Sequence, residues 1–516
     1  MHDIEKEETL LSSENTIDNS SQDLDAFSQV LLDTEDTTQY NLNPRFLQIQ
    51  PKQSENAQNT EKLSVFGAAM AFLSTIIGGG VVGLPFSFYH SGIPFGIILN
   101  IVFALQTIYS CHLIIQAKEL TGGLCSFSEI GYLLMGRKSI FLVNGIIFIG
   151  AFQLIMIYFI VIGDICSSFF SEFTGKPEGD KYYTSRSFYV AILAFFIIGF
   201  IFKKEVHEFK FASYMLFLSI VIFIIICALE MIIDGNHWNT DKDYSQYYKL
   251  HFDRQLFTAI SVFITAYGFQ SNIFPVIRSM KEPTNENCIK AVSIAVFSSM
   301  GIYITLSFLG IYMFGSAIRP DLMDSIGEEG YHFTSIAQCM LFFFVILFHI
   351  PFVFFYGREN FLQLIDEIDR QSISINLQQQ LASYQQIMSK SGEMDQKILK
   401  TNIKVSYYDM NTYYYHFGTL IIFILQVIGA AFIKDIGIIF QIGAAIAGSS
   451  CQFIIPGLFY ILAETKFGAK AQRSERKLSI CLAYLNVIVG LIFLISLLVG
   501  TFINIVADSE EGVHGG

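Results

Sequence analysis

The stretch STIIGGGVVGLP, Ser74 to Pro85, sets three consecutive glycines and a proline inside a long apolar run. Glycine costs a helix about 1 kcal/mol relative to alanine, and interior proline about 3. A second apolar run, FITAYGFQSNIFP from Phe263 to Pro275, is interrupted in the same manner, with Gly268 followed by Gln270, Ser271 and Asn272. Breaking a helix in apolar surroundings releases backbone N–H and C=O groups, and that release is tolerated where the break is buried in protein or lines a wet cavity. The start of a resumed half-helix offers partial positive charge and free amides, which suit a carboxylate. Gly79, Gly80 and Val81 stand at that position, and glycine lets a ligand approach the backbone closely. Carbonyls at the end of the preceding half, from Ser74 and Thr75 through Ile77 and Gly78, suit an ammonium group or a cation. Thr265, Tyr267, Gly268, Phe269 and Gln270 are the matching candidates in the second run. Such a site recognises a small zwitterion and needs no charged side chain; none stands near the middle of either run. A packing role remains open, because Gly79 and Gly83 also form a small-xxx-small pair of the kind that seats helices together.

The elements that hold these residues follow from hydropathy. Of the 516 residues, 52% are hydrophobic and only 15% charged, against about 25% charged in soluble domains. Runs of about 20 apolar residues cross a ~30 Å hydrocarbon core as helices. Eleven are expected: 65–89, 94–117, 140–171, 187–203, 210–233, 255–279, 289–315, 332–356, 415–433, 436–462 and 478–506. The third span is expected to end near Cys166, with its apolar remainder lying in the interface. The two interrupted runs are the first and the sixth, five apart, which is the relation found where two inverted five-helix repeats place a site at their broken first helices. The expected class is therefore an all-α integral membrane protein spanning a lipid bilayer. It has a transporter domain over 62–506: repeat one at 65–233, repeat two at 255–462 and an extra helix at 478–506.

Residues 1–60 hold 12 acidic and 3 basic residues, a net of −9 out of the chain's −13. Residues 1–61 read as a disordered acidic cytosolic tail, open to sorting signals, phosphorylation or cytosolic regulators. With the N-terminus cytosolic, 24 of the 32 Lys and Arg fall on the cytosolic side, the bias that sets orientation. Residues 507–516 then form a short non-cytosolic tail. The long cytosolic loop 357–414 contains NFLQLIDEIDR and INLQQQLASYQQIMS, whose three- and four-residue apolar spacing suggests helices lying on the membrane or the protein's underside. The eight cysteines show no CxxC pair, so neither a disulfide nor a metal site is expected. No nucleophile–base pair is visible, no enzyme is expected, and nothing suggests nucleic acid.

STIIGGGVVGLPFSFYHSG resembles the first-span motif of the amino acid/auxin permease family. YGFQSNIFPVIRSMKEPT resembles its sixth span and following loop, HIPFVFFYGREN its eighth and GSSCQFIIPGLFYI its tenth. The resemblance covers about 62–506, excluding the acidic tail and most of loop 357–414. It implies a LeuT-type fold of 5+5 inverted repeats plus an eleventh helix, and secondary transport of amino acids. The nearest branches are the sodium-coupled neutral amino acid transporters and the vacuolar amino acid transporters. Two positions depart from the sodium-coupled pattern. Ser74 stands where Asn is typical, and Phe348, His349 and Ile350 precede Pro351 where a Thr is typical. The oxygen ligands of a sodium site are thus incomplete, and the coupling ion, H+ or Na+, stays open.

His349 is an ionisable residue within a span and so a functional candidate. Counting 1.5 Å per residue puts Ser74 about 14 Å and His349 about 10 Å from the cytosolic ends of their spans. His349 is either a proton carrier for coupling or a neutral histidine hydrogen-bonded between helices. Asp164, Glu230 and His112 are expected at interfaces, the first two within reach of water. The expected activity is secondary active transport of neutral amino acids by alternating access, by a monomer in a vacuolar, lysosomal or plasma membrane, with the direction of net flux left open. The alternative is an amino-acid sensor that signals through the tail or loop 357–414.

Overall fold

The computed structural model describes residues 62–177, 179–202, 209–233, 239, 241, 243–328, 333–379, 410–433, 435–468 and 476–514. The acidic tail and residues 380–409 of the long loop lie outside the described residues, together with the expectations attached to them. Among the described residues the structure is helical, apart from one parallel bridge between Leu63 and Met280. Among the described residues, eight helices are long and apolar enough to cross a membrane, and one bent pair makes a ninth if counted as one span; shorter apolar helices occupy 186–199 and 217–232.

The first span is two helices, α1 (Val65–Ile76) and α2 (Leu84–Ser91), joined through a 3-10 turn at Gly79–Gly83. Ser64 caps α1 by accepting the Gly67 amide at 3.1 Å, and Pro85 sits in the first turn of α2, where its missing N–H is no loss. α3 (Ile93–Leu120) starts across Gly92. Gly92 has φ +73°, and a Cβ there would stand 2.5 Å from the Lys249 carbonyl oxygen, so both conformation and space demand glycine.

α4 (Phe127–Met135) is a short helix before α5 (Lys138–Thr174). α5 does not end near Cys166 as the sequence suggests. It runs on to Thr174 and stops in a left-handed Gly175, with the Lys176 amide on the Ser171 carbonyl at 3.1 Å, a glycine-terminated helix end. At 1.5 Å per residue its 37 residues reach about 55 Å, well beyond the ~30 Å hydrocarbon core. α6 (Arg186–Ile201) and α7 (Phe209–Ile233) follow. The second interrupted span comprises α8 (Gln255–Ala266) and α9 (Ile273–Ser279), separated by a non-α stretch. α10 (Asn285–Phe314) begins at Thr284, whose hydroxyl accepts the Asn287 amide, and the short α11 (Leu322–Glu328) precedes α12 (Phe333–Asp369). α13 (Thr412–Phe432) and α14 (Ile436–Gly443) come next; α14 continues through wide π turns at Ala444–Gly448 and Ser450–Ile454 into α15 (Ile455–Phe467). α16 (Lys477–His514) closes the chain.

α1 packs on α10, α2 on α8, α12 along α5, and α15 against α3 and α16. The interrupted spans are thus inside the bundle. α16 leaves Leu485, Ile488, Ile492, Ile495 and Phe502 exposed, a continuous apolar surface suited to lipid. Glu230 is not within reach of water: it is 4% exposed and accepts a hydrogen bond from Gln338 Nε2 at 2.7 Å. Asp164 pairs with Arg186 at 3.5 Å.

NFLQLIDEIDR is not a separate surface helix. It is the C-terminal extension of α12, because nothing in it breaks the helix and the carboxylates of Asp366 and Glu367 are buried. Glu367 is fully buried and accepts Arg137 Nε at 3.0 Å and the amides of Ile373 and Ser374 at 3.1 and 3.3 Å. It therefore caps the next helical stretch, 372–379, after a turn at Gln371. Glu367→Ala strands these donors at about 1–3 kcal/mol for an unmet buried group. Deuterium exchange over 372–379 is expected to speed up at least about tenfold; an unchanged rate would mean that other contacts hold the segment.

Candidate functional site

The first break begins where α1 runs out of helix-forming residues. The Ile77 amide still bonds Leu73 O at 2.9 Å, and Gly78 turns back to Ile76 O at 2.9 Å. Val81 makes the first bond of the resumed helix, to Gly78 O at 3.2 Å, so the amides of Gly79 and Gly80 precede its hydrogen-bond ladder. The two halves of the span meet at 60°. The chain turns here because three glycines in succession offer a helix neither Cβ packing nor propensity.

The second break starts at Tyr267. Its amide bonds Phe263 O at 3.3 Å, Gly268 bonds Thr265 O at 3.1 Å, and Phe269 bonds Tyr267 O at 3.1 Å. A 3-10 turn at Gln270–Asn272 then leads into α9. Gly268 is exposed although Tyr267 and Phe269 beside it are 0% and 1% exposed, so the backbone of this break borders open space. The Gln270 side chain is 0% exposed, and among the described residues both its Nε2 and Oε1 lack a hydrogen-bond partner, as does Thr265 Oγ1. Polar atoms buried without partners are uncommon and costly.

The two breaks touch. A Cβ on Gly80 would stand 2.6 Å from Ala266 Cα and 2.7 Å from Ala266 N, a backbone-to-backbone approach open only to glycine. Across the same place, Tyr303 from α10 puts its hydroxyl 2.9 Å from Ile76 O and 2.8 Å from Ala266 O. These are the last carbonyls of α1 and α8, the negative ends of two half-helices. A phenol has one proton to donate, so one hydroxyl serves both ends.

His349 of α12 arrives at the same break. A Cβ on Gly78 would stand 2.6 Å from the Tyr158 hydroxyl and 3.3 Å from His349 Cε1, and the Tyr158 hydroxyl lies 3.4 Å from His349 Nδ1. Ser74 and Thr75 donate their hydroxyl protons back to Ala71 O and Phe72 O at 2.8 and 2.7 Å. Ile77 and Val81 are buried in the core. Phe269 packs its ring 5.5 Å from Phe72, and Tyr267 donates to Asn100 Oδ1 at 2.7 Å. The structure therefore brings Gly78, Gly79, Gly80, Thr265, Gly268, Gln270 and His349 to the paired breaks. Tyr267 and Phe269 wedge behind them.

Tyr303, Tyr158, Asn100 and Gln452 were not visible as candidates in the sequence. Gln452, in the π-turn stretch, donates to Ile264 O beside Gly268. Their common signal is a hydrogen-bonding side chain deep within an apolar run. On the other side of α2, Pro320 O would lie 3.1 Å from a Cβ on Gly83, and neighbouring Asp321 is 3% exposed. Burial pushes the Asp321 carboxyl well above the usual carboxylate range, helped by Asp164 and Asp324.

The profile of the transmembrane amino acid transporter protein family matches residues 61–503. The chain is 25% identical over 293 residues to amino acid transporter AVT6C of Arabidopsis thaliana, covering 54% of this chain and 66% of that one. It is 22% identical over 414 residues to sodium-coupled neutral amino acid transporter 7 of Homo sapiens, covering 78% and 79%. With vacuolar amino acid transporter 6 of Saccharomyces cerevisiae it shares 23% over 267 residues, covering 51% and 57%. The matched segment thus spans just under two thirds of the first relative's length and little more than half of the third's. A solved nucleobase-cation-symport-1 family transporter, bound to bromovinylhydantoin, aligns over 87% of this chain and 94% of that one at 11% identity and TM-score 0.44. With the family profile running from before α1 to the last turns of α16, the chain belongs to the transmembrane amino acid transporter protein family.

Proposed function

We propose that this chain is a secondary active transporter of neutral amino acids that works by alternating access around the paired breaks. On this reading the nine longer spans and the two shorter apolar helices make eleven. They form two inverted five-helix repeats and an extra helix, with the N-terminus cytosolic. The family and the names of its relatives support amino acids as the cargo. The observation that carries the mechanism is the meeting of both breaks at Gly80 and Ala266, with unpartnered Gln270 and Thr265 alongside.

Each part of a zwitterion has a counterpart there. The Gly79 and Gly80 amides, at the positive start of the resumed first span, receive the carboxylate. The Ile76 and Ala266 carbonyls, now shared by Tyr303, receive the ammonium group or a cation. Gln270 and Thr265 gain the hydrogen bonds they lack. No Asp, Glu, Lys or Arg occurs within 71–83 or 260–274, which favours a neutral substrate side chain. The coupling ion is H+ or Na+, and His349, touching Gly78, is the proposed protonation point.

Full-length protein in proteoliposomes is expected to accumulate neutral amino acids when a proton or a sodium gradient is imposed separately. Failure to take up any amino acid from a panel under either gradient rejects the reading. Gly80→Ala drives a methyl into the Ala266 backbone; at about 1–3 kcal/mol for such overpacking, uptake falls at least about tenfold. Tyr303→Phe removes the shared donor at about 1–3 kcal/mol, lowering both the melting temperature and uptake; an unaltered melt would show that the two carbonyls need no donor. If His349 carries the coupling proton, wild-type uptake rises as the pH falls, and His349→Gln loses that slope. An identical pH profile in the variant assigns His349 to packing alone.

A further inference from the structure

The end of α2 carries a second cluster of chemistry, remote from the breaks. His90 lies in the last turn of α2, and His251 and Asp253 lie in the segment leading into α8. One ring nitrogen from each histidine and one Asp253 carboxylate oxygen all lie within 4.8 Å of one another. We propose that His90, His251 and Asp253 form a site for a divalent transition-metal ion of the zinc type, clamping the end of α2 to the start of α8.

Four features carry this. His90 Nδ1 and Asp253 Oδ2 are 3.4 Å apart, close to the spacing of two ligands that each sit about 2.0–2.2 Å from one tetrahedral zinc ion. His90 Nδ1 is buried, and its one polar neighbour among the described residues is the Asp253 carboxylate at the long distance of 3.4 Å, so its lone pair has room for an ion. The backbone supports the convergence: the His251 amide donates to His90 O at 3.1 Å, and His251 Nε2 lies 3.1 Å from Gln246 O. A carbonyl beside a ring nitrogen is the usual way a ligating histidine is oriented. Rings close the surroundings, with Phe86 4.3 Å from the His90 ring and Tyr89 5.2 Å from that of His251.

The donor set selects the ion. Two imidazoles and one carboxylate suit zinc and its borderline neighbours rather than calcium or magnesium, which take oxygen ligands. Three protein ligands leave a fourth position for water, the mark of an exchangeable rather than a closed structural site. Asp253 is half-exposed, so the ion has a way in. The sequence reading foresaw no metal site because it looked for close spacing along the chain, and 161 positions separate His90 from His251. An ion here would fasten the outer halves of both interrupted spans; its effect on flux rests on the proposed transport function, whereas its binding does not.

The test is Zn2+ binding to purified full-length protein in lipid nanodiscs, followed by equilibrium dialysis and metal analysis. Expected are one saturable Zn2+ per chain and affinity at least about tenfold lower in His90→Gln and in His251→Gln. Co2+ loaded into the wild type gives visible absorption bands of a four-coordinate ion that Zn2+ erases, a readout that needs no variant to fold. Zn2+ content in the wild type no greater than in the His90→Gln/His251→Gln double variant, or Co2+ bands absent from the wild type, overturns the proposal. In proteoliposomes, Zn2+ on the α2-end face slows uptake by the wild type and spares His90→Gln. If no uptake occurs at all, the transport reading fails while dialysis and Co2+ spectra still decide the metal site.

Discussion

Two helix ends of like polarity point at each other in the middle of this protein, and one hydroxyl keeps them there. α1 and α8 finish at Ile76 and Ala266, and each finishing carbonyl carries the negative end of a helix dipole. In an interior of low dielectric such ends repel unless something positive stands between them. Tyr303 supplies the proton, at 2.9 and 2.8 Å from the two oxygens. The glycine run depends on the same meeting, since Gly80 must let the Ala266 backbone approach to a distance that no Cβ allows.

The two interrupted spans are also fastened at their far ends. At the α1 end, the Leu63 amide donates to Ser279 O at 2.8 Å and the Lys281 amide to Leu63 O at 2.9 Å, joining the start of the first interrupted span to the end of the second. At the α2 end, the His251 amide reaches His90 O. Ties at three depths, top, middle and bottom, make these two spans one mechanical unit despite their breaks. Discontinuous backbone usually brings looseness; here the loose segments are short and each is bounded by a tie.

Much of this was legible before any coordinates. The positions of both breaks could be read because glycine and polar residues in an apolar run conflict with the helix that hydrophobicity demands, and such local conflict marks sites. His349 could be placed near the first break by counting rise per residue. Tyr303 could not, because a tyrosine in an apolar span looks like packing until its hydroxyl is seen between two carbonyls that are 190 positions apart in sequence. The end of the α5 helix was hidden for a related reason: Cys166 begins a weakly apolar tail, but the helix stops only at Gly175, whose left-handed cap lies nine residues on. The first part of loop 357–414 was misjudged because three- and four-residue spacing reports an amphipathic helix without saying what it packs on. Glu367 looks like a solvent-facing charge in sequence and is buried beneath Arg137 in the fold.

On the proposed reading, a site built from peptide ends rather than charged side chains follows from a carrier's two occupancy states. A carrier returns empty as well as full, and a buried Asp or Arg left without its ligand would be an uncompensated charge costing several kcal/mol. Peptide ends carry about half a charge, and a neutral hydroxyl can satisfy them when the ligand is gone. Tyr303 is placed to do that: its oxygen stands where the proposed ammonium group would bind, and its proton engages the same two carbonyls. On the proposed reading the empty protein therefore already holds an internal substitute for its cargo. Gln270 and Thr265, buried and unpartnered, are the part of the site for which no substitute is present, and they supply a favourable term that only the ligand can collect.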